Sequence, residues 1–312
     1  MSARRPPRGW LIAVAAVALA VIGAVSAAWI ATPSVAKLQQ LVARRVQGAG
    51  GRVVPLSRVA RDLQDAVVAT EDERFYRHHG IDLIGVLRAV PYDVTRLSLA
   101  EGASTITEQL AKLLYLGGND HSPWRKLEDV VLALKLESRY GKKQILAGYL
   151  NAAYFGYGAY GIGAAADRYF GVSPARLDLA QASLLAGLVQ APSAYDPVDH
   201  PAAARARQIE VLRSLVRDRY VTTAQADAAL RAPLDVRGVR LARSTGVALE
   251  PGPSFVWWEL AVGAVVLAGG AGLLLFARRL PLGVRVATAV RLVAFAALLA
   301  GATVLVRSFR TA

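Results

Sequence analysis

Three long apolar runs constrain this 312-residue chain more than any other feature. Trp10 to Ile30 carries no charge, and at helical rise it is long enough to cross about 30 Å of hydrocarbon. Leu260 to Phe276 is a second run, preceded by Trp257 and Trp258 as interfacial anchors. Val286 to Val306 is a third, interrupted by Arg291, whose long side chain can snorkel to the interface. The predicted layout is a basic tail over 1–9, a transmembrane anchor over 10–32, and a C-terminal hairpin of spans at 255–276 and 284–306.

The arginines orient these spans. Arg4, Arg5 and Arg8 precede the first, and Arg278 and Arg279 lie between the second and third, so both segments read as cytoplasmic. Residues from about 33 to 254 are then placed on the extracytoplasmic face of the cell membrane. Arg307 and Arg310 fall on that face too, against the positive-inside tendency. A secretory signal cleaved near Ala24, Ser26 and Ala27 is the alternative, but the apolar run exceeds a usual signal core, which favours an uncleaved anchor. Either way the central domain is exported.

With no cysteine there is no disulfide framework, thiolate metal site or cysteine nucleophile, so the domain is held by its core. The formal charge of +14 fits an anionic partner. Beside membrane spans, an acidic lipid surface or a diphosphate headgroup outranks nucleic acid, while a plain solvated basic surface is the alternative.

The exported segment reads as mostly α. Val59, Leu63, Ala66 and Val67 form a one-sided helical stripe. Thr105-Ile-Thr-Glu108 has the form of a capping box opening a helix through Leu116. Ser122-Pro123 starts a helix whose predicted buried stripe is Leu127, Val130, Val131 and Leu134. Further helices start at Lys142, after Asp178 and after Thr222, and glycines at 156, 158, 161 and 163 mark an aromatic turn. No alternating strands are expected, and residues 233–254 read as a proline-bearing tether.

Glu71, in the segment TEDERFYRHHGID, stands among aromatics, histidines and glycines as no other carboxylate does. Burial beside Phe75 and Tyr76 would raise its pKa towards the range where a general base works. Taken alone it is equally a helix-end charge or a surface ion pair. His78 and His79 invite a metal reading, but four histidines and no cysteine argue against a zinc site.

These residues carry a resemblance. Glu71-Asp72-Glu-Arg-Phe75-Tyr-Arg-His78-His-Gly80 resembles the first motif of glycosyltransferase family 51, the peptidoglycan glycosyltransferases of class A penicillin-binding proteins and their monofunctional relatives. Gly102-Ala-Ser104-Thr105-Ile-Thr107-Glu108-Gln109 resembles the second, Arg125-Lys126 through Glu137 the third, Lys142 through Asn151 with Tyr154-Phe155-Gly156 the fourth, and Leu184 through Ser193 with Tyr195-Asp196-Pro197 the fifth. The match covers roughly 50–232.

The resemblance implies a lysozyme-like α fold with a small membrane-dipping lobe from about Ile81 to Ala100. It also implies polymerisation of lipid II, a lipid-linked disaccharide-pentapeptide, into a nascent glycan strand. Glu71 then matches the base that deprotonates the acceptor 4-hydroxyl, and undecaprenyl diphosphate leaves with inversion. Asp129 takes the place of a second catalytic carboxylate. Ser104, Thr105, Gln109, Lys112, Arg125, Lys126 and Asn151 are the implied substrate contacts, for which helix capping, solvated basic pairs and turn structure are the plain alternatives. Transpeptidases or other cell-wall synthesis proteins are expected partners, because the chain leaves no room for a serine-acyltransferase domain after the fifth block.

Several positions depart from the family pattern. Glu108 stands where a glutamine is usual, Asp129 where the third block has a glutamate, Glu128 where a basic residue is common, and His121 where an arginine is usual. Positive charge is lost around an anionic diphosphate, and one carboxylate is shorter by a methylene. Glu128 and Asp129 could instead hold Mg²⁺ or Mn²⁺ bridging protein to diphosphate. Beside the active polymerase stand two other readings: a weak or inactive relative that binds lipid II as a scaffold, and a lysozyme-type hydrolase using Glu71 as acid.

Overall fold

The computed structural model describes residues 8–82, 84–85, 104–116, 122–237, 239–241, 247 and 249, with backbone alone at 8–18, 21, 123, 239 and 240. Two compact units are present, one of Met1–Ala24 with Gly252–Ala312 and one of Val25–Pro251. The expected spans at 255–276 and 284–306, His121 and most of the expected lobe at 81–100 lie outside the described residues.

Helix α1 runs Arg8–Ala31. Among the described residues no helix is long and apolar enough to cross a membrane. The expected anchor at 10–32 is therefore a helix here and is not shown to be a span. Its described side chains begin at Leu19, and Leu19, Ile22 and Ile30 are exposed. At the helix's end, Thr32 donates its hydroxyl to Ala28 O at 2.8 Å. Nζ of Lys135 donates to Trp29 O, Thr32 O and the Thr32 hydroxyl at 2.7, 2.9 and 2.8 Å, and lies 5.1 Å from the Trp29 ring centroid. A cation here satisfies the carbonyls that a helix C-terminus leaves open and complements its dipole.

The unit from Val25 to Pro251 is built on helices α2 Leu38–Gly48, α3 Arg61–Glu71, α4 Ile106–Tyr115, α5 Pro123–Arg139, α6 Lys142–Ala152, α7 Gly161–Phe170, α8 Leu179–Leu188, α9 Pro201–Arg217 and α10 Thr223–Arg231. Helix α8 is central: every residue from Ala182 to Leu188 is buried, as expected of a helix apolar all round. It packs against α3 and α9, while α4 packs against α5 and α6, and α2 covers α6. The capping box predicted at Asp178 is present, with Asp178 accepting from Gln181 N at 2.8 Å and Gln181 returning to Asp178 N. Thr222 and Gln225 make the same exchange at the start of α10.

Three expectations need correction. In α5 the buried residues are Val131, Leu132, Ala133 and Leu136, while Leu134 is 36% exposed, because the helix meets α4 on a face about one residue round from the stripe read in the sequence. The tether begins as structure: β1 Leu234–Val236 pairs antiparallel with β2 Val239–Leu241, and Leu234, Val236, Leu241 and Leu249 belong to the core. The helical body also starts earlier than residue 50, since Leu38, Val42 and Val46 of α2 are buried in the same core.

Candidate active site

Glu71 is the last residue of α3, and its side chain is 9% exposed. Its Oε2 accepts from Nε2 of Gln109 on α4 at 2.9 Å, and Oε1 of Gln109 accepts the hydroxyl of the buried Tyr149 on α6 at 2.6 Å. Three helices thus fix one carboxylate. Its other oxygen, Oε1, is buried with no hydrogen-bond partner among the described residues and lies 3.8 Å from Nη2 of Arg207 on α9. Burial raises the Glu71 pKa above the ordinary carboxylate value. The Gln109 bond and the Arg207 charge oppose that rise, and Asp72 adds to it. Burial, followed by the Glu71 charge, holds the Tyr149 phenol well above its usual pKa, so it stays a donor.

The loop after α3 is locked to α4 by the neighbouring acid. Asp72 accepts from Nε2 of His78 at 2.9 and 3.0 Å and from the backbone N of Ile106, the first residue of α4, at 3.0 Å. A carboxylate at a helix N-terminus meets both the open N–H groups and the favourable end of the dipole. Gly80 has φ +88°, and a Cβ there would lie 3.1 Å from the backbone of Ala133, so the loop rests directly on α5. Phe75, fully buried, stacks edge-on with Tyr76 and His78, and Nζ of Lys142 lies 4.4 Å from its centroid.

A band of charge lies along the first turns of α5. Ser122 caps the helix by accepting from Arg125 N at 3.2 Å. Nζ of Lys126 donates to Glu108 Oε2 at 2.6 Å and to Ser104 Oγ at 3.2 Å. Arg125 Nη1 lies 3.6 Å from Glu128 Oε2, and Trp124 Nε1 donates to Glu128 Oε1 at 3.1 Å. Asp129 has a buried Oδ1 with no hydrogen-bond partner. Burial raises the Asp129 pKa, Lys126, Arg125 and Lys112 act to lower it, and Glu128 adds a smaller rise. The exposed Lys112 thereby joins this group.

The structure therefore brings Glu71 together with Gln109, and Ser104, Lys126, Arg125, Lys112 and Asp129 into one charged region. Two sequence candidates are not available to a ligand. Thr105 is 2% exposed and its hydroxyl proton is spent, donated to Gly80 O at 2.7 Å, while its oxygen accepts from Glu108 N at 3.1 Å. Asn151 is 2% exposed and ties α6 to the segment before α3, accepting from Val54 N and donating to Val54 O and Ala147 O, each at 2.8 Å. Both are structural. The capping box at Thr105 is also half made: Glu108 turns its carboxylate to Lys126 instead of back to the cap.

The Mg²⁺ or Mn²⁺ reading through Glu128 and Asp129 does not fit. Successive helical residues point about 100° apart, and both Glu128 oxygens are directed at Trp124 and Arg125. Among the described residues no group of three or more His, Cys, Asp or Glu is placed to hold a metal ion.

Arg207 was invisible to sequence reasoning, because PAAARARQIEVLR looks like a solvated basic face. One signal was there: Arg207, Val211 and Leu215 share the i, i+4, i+8 stripe, and the last two are fully buried. Gly187 on α8 makes room for it, since a Cβ there would meet Arg207 Cγ at 2.9 Å.

Comparison with known proteins supplies an independent result. A family model described as Transglycosylase matches residues 38–216. A Cupriavidus necator protein named "Putative transglycosylase" is 46% identical over 186 residues, covering 59% of this chain and 79% of that one. Penicillin-binding protein 1A of Neisseria gonorrhoeae is 44% identical over 172 residues, covering 55% of this chain and 21% of the relative. The Vibrio cholerae protein of that name is 40% identical over 179 residues, covering 57% and 22%. This chain thus spans about a fifth of the penicillin-binding proteins it matches. A crystal structure of penicillin-binding protein 1A from Haemophilus influenzae aligns at 24% identity with a TM-score of 0.35, covering 59% of this chain and 18% of that one, too low a score to bear on the fold.

Proposed function

The chain belongs to the transglycosylase family of peptidoglycan glycosyltransferases, and on that premise we propose that it polymerises lipid II by inverting transfer with release of undecaprenyl diphosphate. The observation that carries the reading is the division of labour at Glu71. One oxygen is held by Gln109, and the other is buried without a hydrogen-bond partner. A carboxylate kept in one orientation, with a vacant acceptor and a raised pKa, is suited to take a proton from a sugar hydroxyl.

In this reading the acceptor 4-hydroxyl gives its proton to Oε1 of Glu71 as its oxygen bonds to the anomeric carbon of the donor. The bond from that carbon to the diphosphate breaks, and the electron pair leaves with the diphosphate. Arg125, Lys126 and Lys112 stabilise the developing phosphate charge, which needs cations rather than a protein acid. Asp129, the expected second carboxylate, lies within the field of these three cations. The Gln109 bond and the Arg207 charge both oppose the rise in the Glu71 pKa and so favour the ionised base.

A lysozyme-like fold, and an anchor formed by α1 and the apolar runs at 255–276 and 284–306, complete the proposal. In this proposal the N-terminus lies in the cytoplasm and Glu71 with its neighbouring cations lies at the outer face of the cytoplasmic membrane, where a lipid-linked substrate is presented. Because the chain has no cysteine, single cysteines introduced at Ser2 and Arg217 can be tested with a membrane-impermeant maleimide on intact and lysed cells. Labelling of residue 2 in intact cells would reverse this topology.

A second reading has its own support: the 2.6 Å pair of Lys126 with Glu108 and the approach of Glu128 to Arg125 leave less free positive charge for turnover. Here the groove binds lipid II as a scaffold. Incubating the full chain with labelled lipid II separates the two. Polymer from the wild type, lost in Glu71→Gln and reduced in Asp129→Asn, supports the polymerase; no polymer from the wild type overturns it.

A further inference from the structure

Glu108 and Lys126 form an unequal pair. The glutamate side chain is 4% exposed in the first turn of α4, whereas the lysine side chain is 53% exposed at the start of α5. The carboxylate is fixed and the ammonium is reachable. Of the three protons on that ammonium, one is directed to Glu108 at 2.6 Å and one to Ser104 at 3.2 Å, which among the described residues leaves one for a ligand.

An anion that approaches Lys126 meets a cation that already has a partner. It must either share Lys126 with Glu108 or draw the ammonium off a carboxylate that cannot follow. Burial pushes the Glu108 pKa up and Lys126 pulls it down, with Asp129 and Asp72 as the acids that face it. The site as a whole is therefore less positive than its lysine and arginine content suggests.

We infer that Glu108 is a positioning residue that sets how tightly the groove grips a diphosphate, by serving as the resident counter-ion of Lys126. The inference rests on the proposed function for the chemical class of the ligand. In that reaction a loosened grip raises KM for the lipid-linked donor and speeds release of the diphosphate product. Glu108→Gln keeps an acceptor for the ammonium at nearly the same place and removes only the charge.

The test uses the full chain in detergent micelles with inorganic pyrophosphate as the probe, measured by titration calorimetry at two salt concentrations. The expected result is binding about two- to fivefold tighter in Glu108→Gln, the size of a half-exposed ion pair, with a steeper salt dependence. The gain should vanish when Lys126→Ala is present in both proteins, a coupling that a merely structural role would not produce. Unchanged or weaker binding in a Glu108→Gln protein that melts like the wild type overturns the inference. So does a gain that survives Lys126→Ala, or no measurable pyrophosphate binding by either protein. A wild type that makes no polymer while Glu108→Gln still tightens pyrophosphate overturns the proposed polymerase and leaves this inference standing. A polymerising wild type with Glu108→Gln binding unchanged does the reverse.

Discussion

Gln109 donates its side-chain amide to Glu71 at 2.9 Å, a bond that ties the end of α3 to α4 at a buried carboxylate. Because burial raises the Glu71 pKa and this bond lowers it, the pair makes a directional prediction. A base works when deprotonated, so activity should rise with pH through a value above the ordinary carboxylate range. Gln109→Leu should move that acid limb to higher pH. A pH profile of kcat/KM checks both statements, and an unmoved limb would remove Gln109 from this role.

Glu71→Gln should lower polymerisation by roughly 10²- to 10⁴-fold, the usual contribution of a positioned base. Its stability should move the other way. A carboxyl whose folded pKa is raised contributes stability that is present below its unfolded pKa and lost as pH rises through the folded one. The variant escapes that loss, so at neutral pH it should melt above the wild type, by roughly 2–4 °C per kcal/mol in a domain of this size. The gap should close as pH falls below about 4. Thermal melts across pH measure it.

Arg207→Met should also push the acid limb upward, since it removes a cation 3.8 Å from Glu71. A drop in kcat of about ten- to a hundredfold is expected, with Arg207→Lys recovering part of it because charge is kept and the planar fork is lost. An Arg207→Met enzyme with wild-type kcat and pH profile would show that the guanidinium only packs.

Thr105→Val and Asn151→Ala should cost stability, about 1–3 kcal/mol each, because both leave buried backbone groups unpaired. In the fraction that stays folded, KM for lipid II should be unchanged within about twofold, well inside the 1.4 kcal/mol that a tenfold change represents. A large rise in KM with an unchanged melting temperature would return these residues to the substrate.

Much of this arrangement was legible in the residues. The caps at Thr105, Ser122, Asp178 and Thr222 were readable because N-capping depends on a few neighbouring side chains, and each holds in the structure. The burial of Glu71 was readable because its motif sets aromatics beside a run of three acids, Glu71-Asp72-Glu73. What escaped depends on partners distant in sequence. Arg207 reaches Glu71 across more than a hundred residues, and Asn151 is spent on Val54. Glu108 followed the local capping pattern in sequence but chose Lys126, since a buried carboxylate gains more from a cation than from one more backbone N–H. The stripe of α5 was misread because its direction is set by α4, which no local pattern encodes.

Lys135 gives the fold one further property. Its ammonium closes on Trp29 O and Thr32 O from the same helix that carries Arg125, Lys126 and Asp129. Burial lowers the Lys135 pKa, so it is the group's desolvation that the three bonds offset. Lys135 stands ten residues beyond Arg125, about 15 Å along a helix. The end of α1 and the side chains of Arg125 and Lys126 are therefore the two marks of a rigid gauge. Wherever the end of α1 comes to rest, Arg125 and Lys126 are held at a set distance from it, and Lys135→Met should let that distance vary.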